Sequence, residues 1–183
     1  PGSIDERLVS FVDLAPTLLR MAGLPAHPLH HGRSLLDSKP RNYVYAARDR
    51  IDEVLDRQRA VRDHRYKYIQ SFVTGVAGGH RLAYRDLQTG VRAWRAAHLN
   101  GELTQPHNRW FEPAPQFQLY DLDRDPDELN NLAGKKSHRR VERRLRRKLE
   151  RHLKRINDTG NQPEQTLRAQ LLSAQGKQQQ TPP

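Results

Sequence analysis

The 183-residue chain contains no cysteine and no long apolar run. The lack of cysteine excludes disulfides, thiolate metal sites and a cysteine nucleophile within these residues. No stretch approaches the roughly 20 apolar residues that a membrane-spanning helix needs, and no signal-peptide pattern opens the chain. Hydrophobic residues make up only 35% of the sequence, and the mean hydropathy is -0.94. We therefore expect one compact unit with a modest core and polar extensions.

The chain also lacks an initiator Met, since it begins PGSIDERLVSF. These residues have the character of a loop that enters a helix rather than of a natural N-terminus. We therefore expect the sequence to be a piece of a longer protein.

Positive charge is concentrated in one segment. The net charge is +11. Residues 135–155 carry twelve Lys or Arg against two acids, Glu142 and Glu150, so this segment supplies +10 and the rest of the chain +1. The segment is suited either to binding a polyanion, such as nucleic acid or a sulfated glycan, or to docking as a helix with a solvated basic face. No helix-turn-helix, zinc-finger or RNA-binding sheet motif accompanies it, which argues against specific nucleic-acid recognition.

Hydrophobic spacing and turn residues predict a mixture of helices and strands. Residues 13–23 form a predicted helix with one buried side, because Leu14, Leu18, Met21 and Ala22 share a face. The other predicted elements are a buried strand over 43–47, an antiparallel hairpin over 57–72 that turns at Asp63-His64, a helix over 91–99 and a strand over 117–122.

The last strong pattern is a helix over residues 137–156. Its apolar positions recur every three or four residues and form a narrow stripe, which suits a helix lying against a sheet with its cationic sides in water. They are Val141, Leu145, Leu149, Leu153 and Ile156. Residues 157–183 are too polar to bury a surface, and we expect them to be a disordered tail.

The acidic stretch after residue 120 has the spacing of a calcium loop. Asp121, Asp123 and Asp125 match the first three ligand positions of an EF-hand. However, Pro126 stands where the loop requires Gly, and Leu132 stands where it requires a bidentate Glu. We therefore favour a structural interpretation, in which a strand runs into a turn at Asp125-Pro126 and Asn130 or Asn131 then caps backbone donors.

Three stretches in this order carry a family resemblance. They are PGSIDERLVSFVDLAPTLLRMAGLP followed by GRSLL, then YVYAARDRIDE with RAVRDHRYKYI, and then LYDLDRDPDELNNLA. Together they resemble the C-terminal part of a type I sulfatase of the alkaline-phosphatase-like superfamily, nearest to heparan N-sulfatase-like and related bacterial enzymes. The resemblance covers residues 1–156.

The resemblance implies an α/β fold of the alkaline-phosphatase-like class. Residues 1–56 would be the end of the large α/β domain. Residues 57–156 would be a C-terminal α+β subdomain, with a small antiparallel sheet packed against a long terminal helix. Residues 157–183 would be the tail. The acidic stretch would belong to the scaffold of the subdomain.

The resemblance also implies a chemistry. Such sulfatases hydrolyse sulfate esters or sulfamates, for example on glycans, with a formylglycine made from the first residue of a C/S-x-P-x-R motif and with bound calcium. The nearest serine match, Ser38 to Asn42, has its Arg one residue too early. We expect the nucleophile and the calcium ligands in an N-terminal catalytic region upstream of Pro1, no catalytic or metal residue within this chain, and no activity of the chain alone. Periplasmic or extracellular location is typical of the family.

The charged segment ARDRIDE supplies the candidate substrate-binding residues. By resemblance, Arg48, Asp49, Arg50, Asp52 and Glu53 lie near the substrate end of the sulfatase pocket, where an Arg fork suits a sulfated sugar. The alternative is a solvated charged loop with internal ion pairs.

Three histidines precede Gly32, at positions 27, 30 and 31. They lack a neighbouring acid at ligand spacing, so a surface loop is favoured over a zinc site, and His31 is a candidate contact at the pocket rim.

The function predicted from these observations is the C-terminal part of a sulfatase that supplies scaffold and part of the substrate cleft. The competing hypothesis is a non-enzymatic module that binds polyanions or nucleic acid through residues 135–155.

Overall fold

The computed structural model describes residues 2, 4–37 and 39–178, so the serine at position 38 and the last five residues lie outside the described part. The elements are α1 (Leu14–Met21), β1 (Val44–Ile51), β2 (Val54–Arg62), β3 (Tyr66–Ser71), α2 (Thr89–Leu99), β4 (Phe117–Asp121), α3 (Arg139–Arg155) and α4 (Glu164–Gln178). The chain divides into two compact units, one that ends at Leu149 and one that begins at Glu150. None of the described helices is both long and apolar enough to span a membrane.

The first unit is built on a four-stranded antiparallel sheet in the order β1-β2-β3-β4. The predicted hairpin is confirmed as β2 and β3, and the predicted strand over 117–122 is confirmed as β4. Strand β2 crosses the predicted domain boundary after residue 56. Strand β1, which precedes that boundary, pairs with β2 and therefore belongs to the same sheet as the strands assigned to the subdomain.

Side chains alternate between the two faces of this sheet. On the back face, Val61, Tyr68 and Leu119 are neighbours across β2, β3 and β4, and all three are fully buried. Leu145 and Leu149 of α3 are buried as well. The guanidinium of Arg146 in α3 lies 5.6 Å from the ring centroid of Phe117 in β4, which places the helix over this face. The predicted arrangement of a small sheet packed against a long helix is confirmed.

The turn between β2 and β3 ties the sheet to α3. One carboxylate oxygen of Asp63 accepts hydrogen bonds from the backbone N–H groups of Arg65 (2.9 Å) and Tyr66 (2.6 Å). The other oxygen accepts from the guanidinium of Arg144 in α3 at 2.6 Å. Arg144 also donates to the hydroxyl of Tyr43, just before β1, at 3.1 Å. The predicted turn therefore doubles as the docking point of the helix.

The acidic stretch after β4 is scaffold. Both carboxylate oxygens of Asp121 accept from the guanidinium of Arg65, at 2.8 and 2.6 Å, and this pairing holds the pKa of Asp121 below its ordinary value. Asp125 accepts from two backbone N–H groups, at 3.0 and 2.8 Å. The asparagine cap predicted at 130 or 131 is Asn131, whose side-chain oxygen accepts from the backbone N–H of Leu119 and of Ala133.

Two burial expectations are wrong for this chain. The helix predicted over 13–23 exists as α1, but its apolar side is exposed: Leu18 is 64% and Met21 69% accessible. The strand predicted over 43–47 exists as part of β1, but its residues are half-buried or exposed because β1 is an edge strand. In both cases the described residues supply no element that covers the apolar side.

The second unit contains a helix where the sequence indicated disorder. Residues 164–178 form α4, whereas residues 179–183 of the expected tail lie outside the described residues. Glu, Gln, Leu, Ala and Arg dominate this segment, and all of them favour helix. Pro163 directly precedes the first turn, a position that tolerates proline. Local propensity therefore accounts for α4, and Leu171 and Leu172 remain exposed.

Candidate functional site

The front face of the sheet, opposite α3, carries an open cavity of about 530 Å³. Strand residues form its floor, and the segment between β3 and β4 forms one wall. Its polar and aromatic lining includes Arg48, Asp56, Gln58, Arg109, Trp110 and Gln118. We call this the front cavity.

A partly buried ion pair lies in the floor of the front cavity. The carboxylate of Asp56 is 4% exposed, accepts from the guanidinium of Arg48 at 2.5 Å, and accepts from the side-chain amide of Gln58 at 3.1 Å. Arg48 is about half exposed, and its other guanidinium N–H groups have no protein partner within the described part of the chain. Since a guanidinium has five donors, Arg48 can bind Asp56 and an anionic ligand together.

A second set of contacts shapes the opposite rim. Arg109 donates to the hydroxyl of Tyr120 at 2.6 Å and to the backbone carbonyls of Glu128 (3.1 Å) and Leu129 (2.6 Å). Burial raises the pKa of Tyr120, although Arg109 opposes the shift. The hydroxyl of Tyr120 donates in turn to Gln118 at 2.8 Å. Arg109 therefore has a positioning role and joins the 107–111 turn to the segment after β4.

The two tryptophans of the chain meet beside the cavity. Trp94 of α2 stacks on Trp110 with ring centroids 5.8 Å apart, and it contacts Phe111 edge to face at 5.3 Å. Gly79 packs directly against these rings. A β-carbon at this position would lie 2.6 Å from the ring of Phe111, so a larger residue does not fit. Trp110 is 43% exposed and lines the front cavity.

The structure brings only one of the predicted ARDRIDE residues into the front cavity. That residue is Arg48. Asp49 pairs with Arg59 at 2.7 Å, and Arg50 donates to the backbone carbonyls of Asp52 and Glu53. ARDRIDE is therefore not a loop after a strand, because Ala47 to Ile51 belong to β1 and Asp52 begins the turn.

Glu53 anchors this turn to the segment after β3. Its carboxylate accepts from the backbone N–H of Ala83 at 3.0 Å, and this bond holds the pKa of Glu53 below its ordinary value. The contact joins the β1–β2 turn to the segment that carries α2 and the aromatic cluster.

His31 is exposed and does not line the front cavity. The backbone beside it is tightly packed, because a β-carbon on Gly32 would lie 1.7 Å from the carbonyl oxygen of Val12. The buried carboxylate of Asp13 holds this loop, since it accepts from the backbone N–H of Arg33 at 3.1 Å and from the guanidinium of Arg41 at 2.6 Å.

Comparison with curated proteins finds sulfatases. The chain is 34% identical over 178 residues to an ulvan-active sulfatase of Formosa agariphila, and the matched region covers 95% of this chain and 30% of that protein. It is 35% identical over 127 residues to arylsulfatase K of Rattus norvegicus, and this matched region covers 69% of this chain and 18% of that protein. The chain belongs to the sulfatase family. It corresponds to a C-terminal part of these sulfatases and spans less than a third of their length.

Solved structures confirm the sulfatase fold. The chain matches a 2-O GAG sulfatase with a TM-score of 0.57 at 21% identity, over 86% of this chain and 28% of that chain. It also matches a protein solved in complex with its substrate D-glucosamine-2-N,6-O-disulfate, with a TM-score of 0.52 at 19% identity, over 82% of this chain and 25% of that chain. No family model matches the sequence. These similarities favour the sulfatase prediction over a free-standing polyanion-binding module.

The acids of this sulfatase chain do not fit a calcium ion. Calcium takes six to eight oxygen ligands. Within the described residues, no cluster of three or more His, Asp or Glu side chains is arranged to hold a metal. In the calcium-like stretch itself, both carboxylate oxygens of Asp121 accept from Arg65, and Asp125 accepts from backbone N–H groups.

Several lining residues of the front cavity were not predicted from the sequence. Asp56 and Gln58 look like ordinary polar positions of a strand, and Arg109 and Trp110 lie in a segment without a regular pattern. The available signal was the pair of glycines at 78–79 combined with the Trp-Phe dipeptide at 110–111, because adjacent glycines often allow close approach of bulky rings.

Proposed function

We propose that this chain forms one wall of the substrate cleft of a sulfatase that hydrolyses sulfuric esters or sulfamates of glycans. The front cavity faces the glycan, and Arg48 contacts a sulfate or carboxylate group. Trp110 stacks against a sugar ring. The observation that carries the proposal is the half-exposed Arg48, which buried Asp56 holds in place while its remaining donors stay available.

The relatives support the substrate class. Two similar proteins are described as acting on ulvan, and one structural neighbour was solved with a disulfated glucosamine as its substrate. An arginine fork beside an aromatic ring suits a sulfated sugar, because the guanidinium pairs with two sulfate oxygens and the ring covers the apolar side of the sugar.

The remaining predicted residues have supporting roles in this proposal. Asp49, Arg50, Asp52 and Glu53 fix the β1–β2 end of the sheet beside Arg48 through their ion pairs and backbone contacts. His31 remains a predicted contact at the rim of the complete cleft.

The N-terminal segment supports the presence of a partner region. Phe11 is 87% exposed, and Val12, Leu14 and Leu18 near it are also exposed, although soluble proteins seldom leave so many neighbouring apolar side chains in water. A neighbouring cavity of about 400 Å³ continues this apolar surface onto Val44 and Ala46 of β1. In our proposal this surface packs against the N-terminal catalytic region of the sulfatase.

The catalytic region would carry the formylglycine nucleophile and calcium. A bound calcium ion stabilises the negative oxygens of the transferred sulfate group. The described acids of this chain form no such cluster, and in our proposal the chain contributes substrate contacts while the catalytic region carries out the chemistry. We expect the isolated chain to be inactive.

The proposal is tested with the enzyme that contains both this chain and the catalytic region. Arg48→Ala should lower kcat/KM for a sulfated oligosaccharide by roughly 10- to 100-fold, because a hydrogen bond to a charged group contributes about 1.5–3 kcal/mol. Activity on a small aryl sulfate should change far less, since that substrate does not reach the front cavity. Arg81→Ala, at an exposed position outside the cavity, is the matched control.

Arg48→Lys separates geometry from charge, because lysine keeps the pairing with Asp56 but lacks the fork. Melting temperatures of both variants show whether loss of the ion pair weakens the fold. Equal losses on the oligosaccharide and the aryl sulfate would contradict a glycan contact at Arg48. Turnover of an aryl sulfate by the isolated 183-residue chain would contradict the assignment of the chemistry to another region.

A further inference from the structure

The solvent-facing side of α3 carries a row of arginines. Arg140, Arg143 and Arg147 follow one another at spacings of three and four residues, which places them on one side of the helix. Leu145 and Leu149 are buried on the opposite side, toward the sheet. At 1.5 Å per residue the row extends over roughly 10 Å. We call these three residues the arginine row.

The charges of the arginine row are not neutralised within the described part of the chain. All three side chains are exposed, and they make no ion pair or hydrogen bond there. Arg144, by contrast, is held by Asp63. Of the two acids in α3, Glu150 follows Arg147 by three residues and lies on the same side of the helix as the row. Glu142 lies toward the other side and accepts from the backbone N–H of Gly134 at 2.9 Å.

This arrangement has an energetic cost for the helix. Like charges three or four residues apart destabilise a helix. Arg140 with Arg143 and Arg143 with Arg147 are two such pairs. Burial of Leu145 and Leu149 holds the helix despite this repulsion. An anionic ligand along the row would remove the repulsion, so binding and helix stability are coupled.

The shape of the row selects an extended ligand. It is a linear series of forked donors on an exposed helix surface and not an enclosed pocket, so it suits anionic groups repeated along a chain. Arg146 and Lys148 flank it, but they lie over the aromatic rings of Phe117 and Tyr43. The row faces away from the sheet, whereas the front cavity lies on the opposite face.

We infer that the arginine row is an accessory site that binds a second stretch of the sulfated glycan chain, apart from the cleft. This inference rests on the proposed function, because a sulfatase that acts on a polymer meets sulfate groups well beyond the reacting sugar. Holding the polymer at a second site raises the effective concentration of its sulfates at the cleft.

The test measures binding of heparin, as a sulfated polysaccharide probe, to the 183-residue chain over a series of salt concentrations. The variant R140Q/R143Q/R147Q should bind at least about 10-fold more weakly and should lower the salt dependence by roughly one power of salt concentration per arginine removed. Heparin should also raise the melting temperature of the wild-type chain by more than that of the variant. Circular dichroism checks that α3 persists.

The matched control is R81Q/R124Q/R168Q, which removes the same charge from exposed positions outside α3. We expect it to weaken binding less than about 3-fold, since it changes only the long-range field. Similar losses in the two triple variants would overturn the site. Equal binding of desulfated heparin, or tighter binding of duplex DNA than of heparin, would overturn the assignment to sulfated glycan.

The heparin experiment and the test of the proposed function can give opposite results. Loss of heparin binding in the row variant, with oligosaccharide hydrolysis unaffected by Arg48→Ala, would reject the front-cavity contact and keep the accessory site. The opposite pair of results would keep the cleft and reject the arginine row.

Discussion

Asp63 is the residue through which the stability of the sheet and the docking of α3 can be measured separately. Its substitution by Ala removes two hydrogen bonds from the backbone N–H groups of Arg65 and Tyr66 and one ion pair with Arg144. Each of the two backbone N–H groups then loses its acceptor in the turn, and each lost hydrogen bond lowers the free energy of unfolding by about 1 kcal/mol. The ion pair adds about 0.5 kcal/mol, because the side chain of Arg144 is 42% exposed and water screens it. We therefore expect Asp63→Ala to lower the free energy of unfolding by about 2–3 kcal/mol.

Two further variants divide this loss into its parts. Asp63→Asn keeps an oxygen acceptor for the backbone and loses the charge, so it should lower stability by only about 0.5–1 kcal/mol. Arg144→Gln should cost about the same. The measurement is urea denaturation at pH 7, followed by circular dichroism, with the double variant Asp63→Ala/Arg144→Gln closing the cycle.

A different order of stability among the variants would refute the dominant role of the turn. If Asp63→Asn were as destabilising as Asp63→Ala, the carboxylate charge and not the turn would dominate. If Arg144→Gln cost more than about 2 kcal/mol, the ion pair would behave as a buried one despite its exposure.

Two further predictions concern the N-terminal segment. Gly32→Ala should lower the free energy of unfolding by about 1–3 kcal/mol, because its β-carbon would clash with the carbonyl of Val12. The control is Gly90→Ala in α2, where nothing lies within 4 Å of the new β-carbon, and it should raise the free energy of unfolding by about 0.5–1 kcal/mol. Equal effects of the two substitutions in urea denaturation would contradict the close approach of Gly32 to Val12. Burial alone would raise the pKa of Asp13, but backbone N–H groups and Arg41 outweigh it and lower the pKa below its ordinary value of 3.8. Asp13 therefore contributes stability above pH 3.8 that is lost as the pH falls through its folded pKa. Asp13→Asn should be less stable than wild type at pH 7, and the difference should shrink below pH 3.8; an unchanged difference at acid pH would contradict a stabilising role for the Asp13 charge.

The secondary structure was largely predictable because it depends on near neighbours. The hairpin follows from alternation on both sides of Asp63, and α3 follows from apolar residues every three or four positions. Pro126 and Leu132 argued against an EF-hand loop before the contacts of Asp121 and Asp125 were known. By contrast, the burial of α1 and β1 was mispredicted, because an apolar stripe shows what a helix or strand is able to bury and not whether a covering element is present.

The candidate site was predictable only where its residues are close in sequence. Arg48 could be found from the cluster of charges in ARDRIDE, but its fixed position depends on Asp56, which lies across the β1–β2 turn. Arg109 and Trp110 lie some sixty positions further along the chain and join the cavity because the segment between β3 and β4 folds back over the sheet.

By itself, the sequence determined the local elements, the concentration of charge in α3 and, through the order of its motifs, membership in the sulfatase family. Local spacing and composition suffice for the elements and the charge, because helices and strands depend on near neighbours in the chain. The family followed instead from the resemblance of three stretches in a fixed order. Only the tertiary structure decided that Arg48 enters the front cavity while Asp49 pairs with Arg59, and that the two tryptophans stack. Side-chain alternation in β1 and the long-range return of the segment after β3 set these outcomes, and neither is encoded in the spacing of a single motif.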